Sequence, residues 1–364
     1  MPAALHLHSP SLTLRAGPRA LARIREQGLQ ASDVHIIPAA AGGPKGLGIQ
    51  GLDFAVFGEF LPRAPQVRAL VGASIGSWRM ASACMRDPVA AFQRLGERYT
   101  AMSFPKGLSL LDVTQRCSQM LDELLEGEED FILQNPHYRL NIMVNRTHGH
   151  LQHDQRGRVA LGLAAVVGNN LLARPRLARH FDRVIAHDPR QAPPLTSTRA
   201  PGDFTSEYLA LDAANLRPAL LASGSIPLVM HGVRDIPGAG PGMYRDGGLL
   251  DYHLDLPYAG DGIVLYPHFT DRIIPGWFDK SLPWRNGCPQ RLQDVLLLSP
   301  SAHYLQQLPH GKLPDRGDFR RYLGDDAGRQ RYWQQAMRAS QRMGDELLEL
   351  IATGRLAERL QPLR

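Results

Sequence analysis

The chain has 364 residues, 43% of them hydrophobic and 21% charged, with a formal net charge of +6 that comes mostly from arginine. That length holds one large domain with extensions or two domains, and that composition excludes a disordered or fibrous chain. Cys84, Cys117 and Cys288 are too few and too far apart for a disulfide framework, no apolar run reaches the roughly 18 residues of a membrane span, and no secretory leader pattern is seen.

In chain order, residues 1–30 read as a lead-in, with His6, His8, Pro10 and Pro18 in its first part. The apolar strand Val34–Ile37 follows and runs into Ala41-Gly42-Gly43-Pro44-Lys45-Gly46, ahead of a helix-like stretch from Leu47 to Phe60. A glycine-rich turn between strand and helix offers backbone N–H groups at the positive end of a helix dipole, which suits a phosphate or an oxyanion. A phosphate-binding P-loop is excluded, because Gly46 rather than Ser or Thr follows Lys45. Next come a strand at Val67–Val71, the string Gly72-Ala73-Ser74-Ile75-Gly76, and a helix-like run from Ile75 to Met85. This is the strand–turn–helix setting of a nucleophile elbow, in which Gly72 and Gly76 leave room for a tight turn that exposes Ser74.

Further strands are predicted at Leu140–Asn145, Tyr208–Leu211 and Ile263–Tyr266, so strands alternate with helices as in an α/β sheet. Residues 147–206 lie between two of them and read as a cap or insertion. Within it, Val159 to Ala173 is apolar but for Asn169 and Asn170, and Arg174, Arg176, Arg179 and Arg183 follow. Such a stretch fits a buried helix pair, and it also fits a lipid surface with arginines at the headgroups. A glycine-rich loop over residues 238–242 precedes Asp246-Gly247-Gly248 and can return a distant carboxylate to the sheet. Trp277, Phe278 and Trp284 fall in a proline-flanked loop. Trp333, Ala336, Met337, Ser340, Met343, Leu347 and Ile351 recur at helical spacing, which predicts a helix docked on the core, with Arg329, Arg331, Arg338 and Arg342 on its solvated face.

Taken together, the glycine turn, Gly-x-Ser-x-Gly and Asp-Gly-Gly, in that order, resemble the patatin-like phospholipase family. The stretch Leu221-Ala222-Ser223-Gly224-Ser225-Ile226-Pro227 resembles the family's Ala-Ser-x-x-Ile-Pro segment, and the likeness covers residues 33 to about 258. Ala41 departs from it by standing at the first glycine of the loop. The resemblance implies a three-layer α/β sandwich, with a mostly parallel central sheet and helices on both faces. It divides the chain into a lead-in (1–30), a catalytic domain (31–260) and a C-terminal extension with an amphipathic helix (261–364). It also implies a lipid ester hydrolase of the serine type. Ser74 is then the nucleophile and Asp246 its base. The N–H groups of Gly42, Gly43 and Ile75 form the oxyanion hole, and Lys45, Gly46, Gly72, Gly76, Gly247 and Gly248 support the motifs.

Two other readings stay open on the sequence. A Ser–Asp–His triad has His253, His268, His303 and His310 available downstream, and a non-catalytic lipid- or phosphate-binding protein would use the glycine turn as an anion cradle. His148, Gly149 and His150, with His153, lack the partners of a metal site, so neither metal nor cofactor is expected. The expected partner is a lipid substrate with transient membrane-surface contact and no nucleic acid. The expected location is cytoplasmic, peripheral to a membrane.

Overall fold

The structure, a computed structural model, describes residues 10–196 and 203–363; His6, His8 and residues 197–202 lie outside them. Among the described residues eleven strands form one sheet: β1 Leu12–Ala16, β2 Val34–Ala39, β3 Arg68–Ala73, β4 Tyr138–Thr147, β5 Phe181–His187, β6 Ser206–Ala210, β7 Val233–Arg234, β8 Met243–Asp246, β9 Ile263–Pro267, β10 Val295–Pro300 and β11 Leu360–Pro362. Their order is β11-β1-β10-β9-β2-β3-β4-β5-β6, with β8 on β4 and β7 on β8. Parallel pairing runs unbroken from β10 through β9, β2 and β3 to β4, and also joins β5 to β6 and β1 to β11. The pairs β1–β10, β4–β5, β4–β8 and β7–β8 are antiparallel. Every residue of β3, β9 and β10 is buried, as strands covered by helices on both faces require. The molecule is thus an α/β fold with a large, mostly parallel mixed sheet flanked by helices, consistent with a three-layer sandwich.

The five predicted strands all appear, each longer or shifted by a residue or two. Helix placement at the nucleophile also holds, with an α-helix over Ile75–Ala83. The run from Leu47 to Phe60 is less regular. It begins as a 3-10 segment at Gly43–Ile49, becomes α at Gln50–Asp53 and widens to π at Phe54–Phe60.

Three expectations need correction. From residue 10 onward the lead-in is ordered: Leu12, Leu14 and Ala16 alternate inward in β1, which pairs with β10, and Pro18–Gln27 is helical. Residues 261–364 are not an appendage, because β9 and β10 sit between β2 and β1 and continue the same sheet. The 147–206 region is only partly a cap. Its helix Arg156–Leu172 and 3-10 segment Arg174–Arg179 lead into β5, which lies along β4 over seven registered residues, Asn141↔His187 to Thr147↔Phe181.

The C-terminal helix, Asp326–Ala352, docks as its spacing predicts, burying Trp333, Ala336, Ser340, Met343 and Leu347. Contact is close enough to need small residues. A Cβ on Gly51 would sit 2.2 Å from the Ser340 carbonyl oxygen, and Ser340 Oγ accepts from the Gly51 N–H at 2.8 Å. Arg329 is not on the solvated face: it is fully buried, lies over the rings of Phe319 and Trp333, and donates to the Thr100 carbonyl. Arg331, Arg338 and Arg342 are exposed.

Candidate active site

The site follows from strand register. β2, β3 and β4 run parallel and level, with Ala39 opposite Gly72 and Ala73 opposite Met143. β3 stops at Ala73, where the chain turns at Ser74 into the helix Ile75–Ala83. Beyond that point β8 takes the place of β3 beside β4, arriving from the other direction and ending at Val144↔Asp246. Two strands therefore meet end to end along one edge of β4. Residues 172 apart in sequence become neighbours, and Ser74 Oγ donates to Asp246 Oδ2 at 2.8 Å.

The turn itself is strained by design. Ser74 has φ 57° and ψ −129°, a conformation costly for a residue with a side chain. A Cβ at Gly72 would lie 2.5 Å from the Ser77 backbone, and one at Gly76 would lie 1.9 Å from the Ala39 carbonyl oxygen. Both glycines are therefore steric requirements. Gly247 is another, since a Cβ there would meet the Met143 carbonyl oxygen at 2.1 Å. Gly248 does more: its N–H donates to Asp246 Oδ1 at 2.7 Å, so each carboxylate oxygen holds one hydrogen bond.

Asp246 and Ser74 are both buried. Burial pushes the Asp246 carboxyl up to about 6, against the opposing pull of the Ser74 and Gly248 hydrogen bonds and the Arg316 charge. A carboxylate with that pKa is a better proton acceptor than a solvated aspartate and remains ionised at neutral pH.

Gly42, Gly43 and Ile75 stand at the starts of two helical segments, where backbone N–H groups have no intrahelical acceptor. All three line cavities that Ser74 also lines. Gly43 has φ 57° and needs to be glycine-like; Gly42 is extended, but a Cβ on it would strike the Phe269 ring at 2.5 Å. Ala41 is not among the residues of positive φ, and its N–H donates to the Tyr252 carbonyl at 2.9 Å. The departure from a first glycine is thus without backbone strain. Gly46 packs under Arg79 and Ile75. Lys45 lies 5.2 Å from the centroid of the Phe269 ring, with its pKa lowered chiefly by burial.

Two cavities meet at Ser74. One, of about 290 Å³, is apolar, lined by Trp78, Met102, Phe104, Val113, Ile226 and Phe319 among others. The second, of about 250 Å³, holds Gly42, Asp246, Tyr252, Trp277 and Leu163. Arg316 lines both. Trp284, grouped with Trp277 in the sequence, is 68% exposed and lines neither.

Among the described residues no histidine lines either cavity. His253 and His268 are buried against one another, with ring centroids 4.3 Å apart, and burial lowers both pKa values. Their Nδ1 atoms are engaged by the Ile274 N–H and by Thr270. His303 and His310 are exposed and pair with Gln307 and Tyr322. His148 Nε2 is 2.8 Å from Asp182, His153 pairs with Arg158, and among the described residues no group of three metal-ligating side chains gathers.

Four supporting residues carried no motif that assigns them a role. Ser223 Oγ accepts from the Ser74 N–H at 2.9 Å, contacts Ser77 Oγ at 2.7 Å and donates to the Met143 carbonyl at 2.7 Å. Asn145 Nδ2 donates to the carbonyls of Asp246 and Gly247 at 2.7 and 3.1 Å. Arg79 and Asp53 form a buried two-bond pair at 2.9 and 2.6 Å that ties the nucleophile helix to the segment after the glycine turn. Ser223 was visible only as part of the Ala-Ser-x-x-Ile-Pro likeness; Asn145 and Asp53 gave no signal.

The chain matches no family model and no curated protein.

Proposed function

We propose that this protein is a patatin-like serine acyl hydrolase that cleaves carboxylic esters of lipids through a Ser74–Asp246 dyad. The observation that carries this reading is the 2.8 Å hydrogen bond from Ser74 Oγ, which lines the apolar cavity, to the buried Asp246 carboxylate. Ser74 Oγ attacks the ester carbonyl carbon and its proton passes to Asp246. The carbonyl oxygen takes the developing charge, facing the N–H groups of Gly42, Gly43 and Ile75. The Ser74 N–H is already committed to Ser223 and is not one of those donors. Collapse expels the alcohol, which takes the proton from Asp246 and leaves an acyl-enzyme. Water then attacks the acyl carbon, Asp246 removes its proton, and the fatty acid departs as Ser74 regains its hydrogen.

The acyl chain fits the apolar cavity, and no cofactor enters the scheme. Contact with a membrane surface belongs to the same proposal, as does a cytoplasmic location. The helix Arg156–Leu172 exposes Leu161, Val167, Leu171 and Leu172, its Leu163 lines the second cavity, and Leu228 and Val229 are exposed at that cavity's edge. Among the described residues no helix is long and apolar enough to cross a membrane.

A long-chain fluorophosphonate probe tests the reading. Wild type is expected to be labelled and Ser74→Ala is not. A panel of phospholipid, lysophospholipid, acylglycerol and short p-nitrophenyl esters then reads turnover. Labelling of Ser74→Ala at the wild-type rate, or no ester cleaved, would end it.

A further inference from the structure

Polar side chains are few in the apolar cavity at Ser74. Ser74 Oγ is committed to Asp246, and the Trp78 indole N–H donates to the Leu220 carbonyl at 2.9 Å. The Tyr99 hydroxyl is not committed. Tyr99 lines this cavity from the helix Pro88–Ala101, and among the described residues its hydroxyl makes no hydrogen bond. Tyr304 also has an unpartnered hydroxyl, but that oxygen is sealed inside the protein, whereas the Tyr99 oxygen opens on the cavity. A phenol O–H kept from water without an acceptor costs about 1–3 kcal/mol.

That hydroxyl lies against the glycine turn. A Cβ on Gly43 would sit 3.7 Å from it, and the other atoms beside the same point are Cγ and Cδ of Arg316, at 3.4 and 3.6 Å, which accept nothing. Both oxygens of Asp246 are held by Ser74 and Gly248. The acceptor for the phenol therefore has to come from a bound molecule. Loss of water around the ring raises the Tyr99 pKa above its ordinary value, so the group stays protonated and donates.

The phenol is also held in place, and the C-terminal helix Asp326–Ala352 does the holding. The Tyr99 and Trp333 rings lie 6.2 Å apart. Buried Arg329 donates to the Thr100 carbonyl at 3.2 Å and to the Met102 carbonyl, which pins the backbone just past Tyr99. One turn earlier the two helices are in close contact, since a Cβ on Gly96 would meet Met337 Cε at 2.4 Å. A donor fixed in advance pays little reorganisation when charge develops in front of it.

We infer that the Tyr99 hydroxyl is a further catalytic group, donating to the ester carbonyl oxygen as that oxygen becomes an oxyanion, beside the Gly43 N–H. The inference rests on the hydrolase reading and adds a side-chain donor to the backbone ones. None of the three motifs contains Tyr99, and the helix that fixes it lies beyond residue 258, outside the stretch that carries the family resemblance. The C-terminal helix thus takes part in building the site as well as in packing the core.

Tyr99→Phe keeps the ring and removes the donor. Single-turnover acylation by p-nitrophenyl dodecanoate at pH 8, where Asp246 is ionised, is expected to slow about 100-fold, the effect of one lost oxyanion donor, with the acid limb of the pH profile unmoved. A dodecyl trifluoromethyl ketone, whose adduct with Ser74 carries a negative oxygen, should lose affinity by a similar factor. The methyl ketone of the same chain, which forms no such adduct, should bind as before. Wild type that is acylated and Tyr99→Phe that is acylated at the same rate would overturn the inference and leave the hydrolase reading standing. Equal weakening of both ketones would make Tyr99 a wall of the acyl cavity only, and a displaced acid limb would place its action on Asp246; either result overturns the inference too. A wild type that cleaves no ester and takes no fluoroketone brings down the hydrolase reading and this donor with it.

Discussion

Ser223 Oγ sits 2.9 Å from the Ser74 nitrogen and 2.7 Å from the Met143 carbonyl oxygen, so one hydroxyl ties the nucleophile's backbone to β4. The strained φ of Ser74 is held in place by that link and by the glycine contacts around it. Ser223→Ala leaves a buried N–H and a buried carbonyl without their partner, at a cost of about 1–3 kcal/mol in stability. It also frees the turn to relax. Turnover is expected to fall by about tenfold or more, while the acid limb of the pH profile stays where Asp246 sets it. A displaced limb would mean that Ser223 acts on the carboxylate instead.

The base predicts a pH dependence of definite sign. Burial raises the Asp246 carboxyl to about 6, and only its ionised form accepts the Ser74 proton. Below pH 6, kcat/KM should therefore fall about tenfold per pH unit; above it, the profile should level off. Arg316 lowers this pKa, so Arg316→Gln should move the limb to higher pH. A limb near pH 7 that is unmoved by Arg316→Gln and lost in a histidine variant would restore the triad.

Stability runs the opposite way from activity at this residue. An unfolded aspartate loses its proton near pH 4, the folded one near 6. Between those values the folded state holds the extra proton, and stability falls as pH rises through the window. Asp246→Asn removes that loss. At pH 8 it should be inactive yet no less stable than wild type, with a gain of at most about 3 kcal/mol. Asp255, also raised to about 6 by burial, is present in both proteins and cancels in the difference. Urea denaturation at pH 5 and pH 8 reads the effect; a variant less stable at pH 8 contradicts it.

What could be read in the sequence was what local sterics dictate. Gly72 announces itself because its need is local, against Ser77, while Gly76 and Gly247 show only through their motifs, since the atoms they must clear are Ala39 of β2 and Met143 of β4; the order of the three motifs carried the rest of the dyad. Strands β2, β3 and β4 showed as apolar runs with turn signals. β10, Val-Leu-Leu-Leu-Ser-Pro, was missed because a short apolar run has no period to separate strand from buried helix. β1 was missed because Pro10 and Gly17-Pro18 made its surroundings look like a tail, although Leu12, Leu14 and Ala16 alternate. Arg316 could not be seen at all. Its place at both cavities depends on where a loop 242 residues beyond Ser74 lands.

At the glycine turn, the structure separates a catalytic defect from a folding one. Gly43→Val forces a β-branched residue to φ 57°, but its Cβ has only ordinary contact, 3.4 Å, with the Arg316 side chain. The chain should fold, with the turn displaced and an oxyanion donor lost, a deficit of about 3–4 kcal/mol in transition-state stabilisation. Gly76→Ala puts a methyl 1.9 Å from a backbone oxygen of β2 and should impair folding itself. Circular dichroism and single-turnover acylation together distinguish the two; full activity in Gly43→Val would place the oxyanion hole elsewhere.

The arginines after the cap helix divide in a way the sequence did not reveal, and the division sharpens a test of lipid contact. Arg174 pairs with Asp279 and donates to the Leu250 carbonyl, and Arg183 is buried in a two-bond pair with Asp251. Only Arg176 and Arg179 are exposed and available for headgroups. The apolar side is the larger contribution. Leu161, Leu171 and Leu172 are 62%, 57% and 70% exposed, and inserting such side chains is worth about 1.5–3 kcal/mol each when complete. Each arginine near an anionic surface adds only about 1 kcal/mol, and less once salt screens it. Vesicles with anionic lipid should therefore capture the protein in a flotation assay, and physiological salt should release part of it rather than all. Serine at Leu161, Leu171 and Leu172 together should abolish capture and slow hydrolysis of vesicle lipid at least tenfold. A soluble short-chain ester should be cleaved at close to the wild-type rate, because none of these side chains lines the cavities at Ser74. Equal loss on both substrates would make the helix a structural element only, and capture that salt removes entirely would assign the contact to the arginines.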